Sequence, residues 1–290
     1  MSRTVFLDYD QAQLDRQYDQ RAWAPNAIAV INGYAADSAG VRKRLGEPDT
    51  YDYGESRAES LDLFRTQRPK APVHVFIHGG AWRLLSARDS AFPAETFVRL
   101  GAHFVALDFA LLPSVSLAWM VEQVRSAIAW LFRYADQFDG DPNRIFISGH
   151  SSGAHLAAAV ITTDWKARFG LPPDVVKGAL CCSGIYDLEP VWRSARNDYL
   201  QLDESQVADL SPIRHVGNLT CPVAVGFGEL ESDEFKRQAR EFAAAVERNG
   251  NPVELVEGKA LNHFEIVNSL ASPNGLLGRI ALHQMGLGLG

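Results

Sequence analysis

One segment of the chain, residues 146–155, restricts the fold more than any other. It reads Phe-Ile-Ser-Gly-His-Ser-Ser-Gly-Ala-His, so the pattern G-x-S-x-G stands between an apolar β-branched run and an Ala-rich helical run. That order predicts a strand, a sharp turn and a helix, with the hydroxyl of Ser151 lifted above the edge of a sheet. Gly149 and Gly153 suit such a turn, because a Cβ at either position would collide with the neighbouring strand or helix. The segment therefore predicts an α/β protein with Ser151 as a candidate nucleophile.

A second glycine turn favours this interpretation over the alternative that the first is only a turn capped by a serine. Residues 72–82 read Pro-Val-His-Val-Phe-Ile-His-Gly-Gly-Ala-Trp, which is an apolar strand followed by two glycines. Acyl transfer creates a tetrahedral oxyanion that needs N–H donors already in place, and a Gly-Gly turn leaves such groups uncovered. The backbone amides of Gly80 and Ala81, together with that of Ser152, are the predicted oxyanion hole.

Apolar strands alternate with longer helical runs from residue 73 onward. This alternation predicts an α/β fold with a mostly parallel central sheet and helices on both faces, in which active sites lie at the carboxyl ends of the strands. A helix is expected around Tyr9–Tyr18, loops from there to residue 50, and a hairpin over residues 51–64. The predicted strands are Val73–Ile77, Phe104–Phe109, Arg144–Ser148, Lys177–Cys182, Pro222–Phe227 and Val253–Val256, and the predicted helices lie near Phe92–Leu100, Leu117–Phe138, Ser152–Trp165 and Glu234–Asn249.

The length of 290 residues fits one large α/β domain or two small ones, and the prediction is a single domain over residues 1–290. Residues 183–216 break the alternation and are too long for a simple connection. They are predicted to form a small cap over the site, which the N-terminal segment, residues 1–50, could join. Three aromatic residues are candidates for the substrate pocket, each with packing in the core as the alternative: Trp82, Tyr186 and Trp192.

Composition excludes several classes of partner. A net charge of −7 without a basic run argues against a nucleic-acid surface. No window approaches the roughly 18 apolar residues of a membrane span, and no apolar stretch of signal-peptide length precedes the first acidic residues. Three cysteines do not make a disulfide framework, which favours the cytoplasm. The expected partner is a small amide or ester substrate, with no metal and no cofactor, and a homodimer is left open.

A serine nucleophile needs a base, and the base needs a carboxylate that orients it. In a sheet of this kind the acid and then the histidine follow the serine along the chain. His263 lies after the last predicted strand and is the predicted base, whereas the other late histidine, His215, falls within the expected cap. Four carboxylates follow the strand that ends near Phe227. Glu231 lies in the loop itself and is the preferred acid, with Asp233 as the alternative.

These motifs resemble those of the α/β-hydrolase superfamily and, more narrowly, of its arylformamidase (kynurenine formamidase-like) branch and esterase relatives. The likeness runs from about residue 70 to 270 and rests on His78-Gly79-Gly80-Ala81-Trp82, Gly149 to His155, Ser183 to Leu188, Glu231 to Phe235 and Asn262-His263-Phe264.

In that branch the triad acid is the first residue of the acid-Ser-x-Glu-Phe run and is usually Asp, whereas this chain has Glu231. The resemblance implies hydrolysis of an N-formyl aryl amide such as N-formylkynurenine through a metal-free acyl-enzyme mechanism. Two alternatives remain: a broad short-chain carboxylesterase with the same triad, and a hydrolase-fold binding protein without catalysis.

Overall fold

A single eight-stranded sheet lies at the centre of the part of the chain that the computed structural model describes, residues 3–288. The terminal residues 1–2 and 289–290 of the predicted domain lie outside the described residues. The strands are β1 Asp49–Asp52, β2 Ser60–Phe64, β3 Ala71–Ile77, β4 His103–Leu107, β5 Gly140–His150, β6 Val176–Cys182, β7 Val223–Gly228 and β8 Val253–Gly258.

The spatial order of the strands is β1-β2-β4-β3-β5-β6-β7-β8. β1 and β2 form the predicted antiparallel hairpin, and β2 also runs antiparallel to β4, whereas every other neighbouring pair is parallel. All six strands predicted from the alternation are present, and their ends differ from the prediction by at most four residues. The mostly parallel central sheet is therefore confirmed.

Helices cover both faces of this sheet. The α-helices are α1 Gln11–Tyr18, α2 Ala27–Leu45, α3 Ala94–Arg99, α4 Leu117–Tyr134, α5 Ser152–Ile161, α6 Trp165–Phe169, α7 Glu189–Trp192, α8 Asn197–Leu200, α9 Glu204–Leu210, α10 Asp233–Arg248 and α11 Leu276–Gln284. Short 3-10 helices cover Gln20–Trp23, Ala87–Asp89, Ala135–Phe138, Pro212–Asn218 and Ile266–Ala271. Among residues 3–288, no helix combines the length and the apolar character needed to cross a bilayer.

The alternation of side chains along the strands divides the core into two layers. In β3, Val73, Val75 and Ile77 pack on the side that α4, α5 and α10 cover. Phe76 points to the opposite side, where it joins Phe104 and the buried faces of α2, α3 and α11. Because β3 is buried at every position, its carboxyl end is a rigid support for the turn that follows it.

Helix α2 corrects the sequence prediction, which expected loops up to residue 50. Its buried apolar and hydroxyl-bearing positions follow one stripe at helical spacing: Ala27, Tyr34, Ser38 and Val41. Alanine and serine carry little hydrophobic signal, so this stripe is hard to detect in the sequence. The helix docks through specific contacts, since the ring of Tyr34 stacks on Phe92 at 5.3 Å and the Phe92 N–H donates to Ser38 Oγ at 3.0 Å.

Two helical glycines differ in what surrounds them, and this difference predicts opposite effects of alanine. A Cβ on Gly278 in α11 would lie 2.0 Å from the carbonyl oxygen of Ser272, whereas a Cβ on Gly33 in α2 would meet nothing within 4 Å. We expect Gly278→Ala to lower the free energy of unfolding by about 1–3 kcal/mol through overpacking. Gly33→Ala should raise it by roughly 0.5–1 kcal/mol, because alanine is the better helix former. Chemical denaturation of both variants measures the difference, and a loss of equal size in both would contradict this packing account.

Candidate active site

Ser151 occupies a tight turn between β5 and α5. Its backbone has φ 56° and ψ −122°, a sparsely populated conformation that costs about 1–3 kcal/mol. The Ser151 N–H donates to the carbonyl oxygen of Cys182 at the end of β6 at 2.9 Å, which ties the turn to the neighbouring strand. A Cβ on Gly149 would lie 2.2 Å from the oxygen of Gly153, and one on Gly153 would lie 2.1 Å from the oxygen of Ile77. Both glycines of the motif are thus required by close backbone packing.

The imidazole of His263 reaches the hydroxyl of Ser151. Its Nε2 lies 2.9 Å from Ser151 Oγ, which is hydrogen-bond distance. Ser151 follows β5, and His263 lies in the loop that follows β8. The two residues therefore come from the first and the last strand of the row β5-β6-β7-β8. Both residues are buried except for the surface that they present to a cavity. The hydroxyl therefore has a base within reach.

Glu231 stands on the other side of the imidazole. Its Oε1 accepts hydrogen bonds from the Ser183 hydroxyl at 2.5 Å and the Gly228 N–H at 2.8 Å. Its Oε2 lies 3.6 Å from His263 Nδ1, and neither of these two atoms has a hydrogen-bond partner among residues 3–288. A movement of less than about 1 Å would close this gap to a hydrogen bond. The carboxylate is fully enclosed and faces the imidazole.

Asp233, the alternative acid, lies elsewhere. It is the first residue of α10, its side chain is 74% exposed, and it pairs with Lys236 at 3.1 Å. A carboxylate in the first helical turn is favourable there because of the helix dipole. The structure thus brings Glu231, and not Asp233, to His263.

The N-terminal segment braces the loop that carries Glu231. We define the acid loop as residues 229–232, between β7 and α10. The Ser232 hydroxyl donates to the carbonyl oxygen of Gln17 at 2.7 Å, and the side-chain amide of Gln20 donates to the same hydroxyl at 2.7 Å. All three residues are buried, so these bonds are shielded from competing water.

The same segment braces the loop that carries the imidazole. We define the histidine loop as residues 259–265, after β8. The Asn262 amide donates to Asn26 Oδ1 at 2.8 Å, and the Tyr34 hydroxyl donates to the Phe264 carbonyl oxygen at 2.5 Å. These bonds fix the backbone on both sides of the imidazole. Sequence reasoning missed this role, because nothing in residues 17–34 resembles a catalytic motif.

The turn after β3 presents backbone amides beside Ser151. Gly80 has φ 103°, and a Cβ on it would lie 2.1 Å from the Leu84 oxygen. The amides of Gly80 and Ala81 have no acceptor among residues 3–288, and both residues line the same cavity as Ser151. Ser152 begins α5, where the first N–H groups of a helix lack partners within it. Its hydroxyl accepts from the Trp82 N–H at 3.1 Å and so joins the two glycine turns.

A cavity of about 640 Å³ opens above Ser151. Its walls come from α1, the start of α2, the turn after β3, the histidine loop and residues 194–199, so N-terminal and cap-region residues both contribute. The lining combines aromatic and aliphatic side chains with three arginines, among them Tyr18, Tyr34, Leu112, Tyr199, Arg21, Arg83 and Arg196. The Arg83 guanidinium lies over the Tyr199 ring at 4.6 Å.

The structure corrects the predicted aromatic pocket, because none of its three residues lines this cavity. Trp82 is fully buried, and its indole N–H donates to His155 Nδ1 at 3.3 Å. Tyr186 is also fully buried and stacks on Phe242 at 4.1 Å. Trp192 packs against the core from its edge. Their proximity to the motifs along the chain reflects packing beneath the site.

Burial keeps two further histidines of the serine motif neutral. It lowers the pKa of His150 to about 3 and that of His155 to about 4. His155 faces the core, whereas His150 belongs to the cavity wall. Within residues 3–288 no group of three histidine, cysteine or carboxylate side chains is arranged to hold a metal ion.

Comparison with known proteins agrees with this geometry. The BD-FAE family model matches residues 61–174, which contain both glycine turns. Kynurenine formamidase of Danio rerio is 32% identical over 94% of this chain and 96% of its own length. The corresponding protein of Salmo salar is 31% identical over 99% of both chains.

Solved structures show the same fold. A candidate thioesterase from Silicibacter sp. TM1040 superposes with a TM-score of 0.82 at 24% identity, over 93% of this chain and 98% of its own. A hyperthermophilic esterase from Pyrobaculum calidifontis gives a TM-score of 0.71 at 19% identity, over 92% and 97%. The architecture is thus that of an α/β-hydrolase. Because relatives that are 31–32% identical cover nearly its whole length, the chain belongs to the kynurenine formamidase family of α/β-hydrolases.

Proposed function

We propose that this protein is a serine hydrolase that cleaves a small N-formyl aryl amide through an acyl-enzyme intermediate. The observation that carries the proposal is the 2.9 Å approach of His263 Nε2 to Ser151 Oγ at the floor of an open cavity. The amide specificity is supported by near full-length relatives named kynurenine formamidase. A hydroxyl, a base and free backbone donors in one cavity are the parts that acyl transfer needs.

The first half of the reaction forms the acyl-enzyme. Ser151 Oγ attacks the formyl carbon while its proton moves to His263 Nε2, and the carbonyl electrons move to the oxygen. The amides of Gly80, Ala81 and Ser152 donate to this oxyanion. When the carbonyl re-forms, the C–N bond breaks, and the leaving nitrogen takes the proton from His263. An aryl amine departs, and a formyl ester remains on Ser151.

The second half releases the acid. Water gives a proton to His263 Nε2 and attacks the formyl ester, and the C–O bond to Ser151 breaks as the proton returns to Oγ. Formate leaves the site. Throughout, Glu231 holds Nδ1–H toward itself and stabilises the imidazolium that forms twice per turnover. Its two hydrogen bonds from Ser183 and Gly228 keep the carboxylate in that position.

A short-chain carboxylesterase is the second candidate function. The esterase LipQ of Mycobacterium tuberculosis is 30% identical over 72% of this chain. An ester would use the same serine, histidine and oxyanion donors, and would differ only in the leaving group. The two functions are therefore separated by substrate selectivity and not by loss of a residue of the triad.

Replacement of Ser151 tests the nucleophile. We expect Ser151→Ala to retain the fold and to lower kcat by at least about 10³-fold, because the covalent route is lost. Ser205→Ala, a control at an exposed hydroxyl in α9, should keep normal turnover. Steady-state kinetics on an aryl formamide measures both variants. Near-normal turnover in a folded Ser151→Ala protein would show that Ser151 is not the nucleophile and would exclude an acyl-enzyme on this residue.

Paired amide substitutions test the acid. Glu231→Gln should lower kcat by at least about 100-fold, since the carboxylate that stabilises the imidazolium is removed. Asp233→Asn removes an exposed carboxylate of the same stretch and should change kcat by no more than about twofold. Both substitutions preserve side-chain volume, and turnover of one aryl formamide compares them. The reverse ranking would transfer the role of the acid to Asp233.

A series of acyl groups tests the substrate class. A formyl carbon carries only hydrogen on its acyl side, whereas each added methylene must find room between the serine and the glycine turn. We expect kcat/KM to fall steeply from formyl or acetyl to octanoyl esters, and aryl formamides to be turned over. Parallel kinetics on the ester series and formanilide measure this preference. Preference for long chains, or good cleavage of short esters with no cleavage of formamide, would favour the esterase.

A further inference from the structure

His150, which directly precedes Ser151, has one ring nitrogen committed to the protein. Its Nε2 lies 2.7 Å from the carbonyl oxygen of His263. A carbonyl oxygen only accepts hydrogen bonds, so Nε2 must carry the ring proton and donate it there. This bond ties the residue before the serine to the backbone of the histidine loop. It also determines the tautomer of the ring, because a neutral imidazole carries one proton.

The other ring nitrogen, Nδ1, is an unused acceptor beside the serine. Nδ1 has no hydrogen-bond partner among residues 3–288. It also keeps some contact with solvent, unlike the unpaired polar atoms that are fully buried. Its pKa of about 3, lowered by burial, keeps the ring neutral and the lone pair free. The position that a Cβ on Gly79 would take lies 3.2 Å from Nδ1 and 3.1 Å from Ser151 Cβ. His150 lines the same cavity as Ser151.

Amides and esters differ at the leaving atom: the leaving nitrogen of a secondary amide carries an N–H group, whereas the leaving oxygen of an ester carries no hydrogen. When the tetrahedral intermediate collapses, the nitrogen lone pair must face the proton on His263 Nε2, so the N–H of the leaving group points elsewhere. A donor that loses water without gaining another acceptor is costly in the transition state. Around Ser151, the backbone amides of Gly80 and Ala81 are donors. The protonated imidazole of His263 is also a donor at this step, because it gives its proton to the leaving nitrogen. Nδ1 of His150, the residue directly before Ser151, is an acceptor in the cavity wall that this arrangement leaves unpaired.

We propose that His150 Nδ1 accepts the N–H of the scissile amide and thereby makes His150 the residue that favours amides over esters at this site. The inference rests on the proposed function, because it concerns the leaving nitrogen of the same reaction. It assigns two separate tasks to one ring: Nε2–H holds the histidine loop, and Nδ1 recognises the substrate. The first task serves amides and esters alike, whereas the second serves amides alone.

This division predicts a change in selectivity that a purely structural role would not produce. Formanilide and phenyl formate share the formyl and aryl groups and differ in the N–H. In His150→Phe, kcat/KM for formanilide should fall at least about tenfold more than kcat/KM for phenyl formate. In His150→Asn, whose amide oxygen can stand near the position of Nδ1, the ratio of the two should stay within about threefold of the wild type. His155→Phe, which removes an equally buried neutral histidine that faces the core, should leave this ratio unchanged.

A loss of the same factor for both substrates in His150→Phe would overturn the proposal and leave His150 only as a support of the histidine loop. The wild type offers a second test that needs no folded variant: N-methylformanilide, which lacks the N–H, should be cleaved at least about tenfold less efficiently than formanilide. Equal cleavage of the two would also overturn it. If the wild type cleaves phenyl formate but not formanilide, the proposed formamidase function fails and this inference with it. If formanilide is cleaved and the variant ratio does not move, the inference alone fails.

Discussion

The close contact between the serine turn and the end of β3 is the constraint on which the site depends. Gly153 lies so near the Ile77 carbonyl that no side chain fits between α5 and β3, and Gly149 lies equally near Gly153 itself. Ser151 lies in this turn with a rare backbone conformation, φ 56° and ψ −122°. The contact also brings the Gly-Gly turn after β3 next to the hydroxyl. The strain is offset by the two buried layers that hold β3 and β5 rigid, which is how such conformations persist in folded proteins.

The N-terminal segment completes what the sheet begins. A sheet edge can place the ends of β7 and β8 close to Ser151, but it does not hold the loops beyond them. Gln17 and Gln20 bond to the acid loop, while Asn26 and Tyr34 bond to the histidine loop. The same stretch of chain forms part of the cavity wall. One segment thus couples the position of the candidate acid and base to the shape of the space above the serine.

Much of the fold could be predicted because the parallel strands are continuous apolar runs and both glycine turns require specific backbone geometry. Helix α2 could not, because its buried stripe contains alanine and serine in place of large apolar residues. The candidate triad was predictable from the serine motif and the order of its residues along the chain, and the structure places the three side chains together. The pocket was not predictable, because Trp82 lies beside a motif yet packs beneath it, whereas Tyr18 and Tyr199 reach the cavity from distant segments. Motifs and their order along the chain predict the candidate triad, whereas only tertiary packing decides which side chains line the cavity.

The central claim is that the strained serine is a nucleophile activated by the imidazole beside it. Covalent labelling with a serine-directed fluorophosphonate, followed by intact mass spectrometry and peptide mapping, tests this claim most directly. We expect a single adduct on the peptide that contains Ser151, and no adduct in Ser151→Ala. A label on another residue that persists in Ser151→Ala, or no label on the folded wild-type protein, would contradict the account.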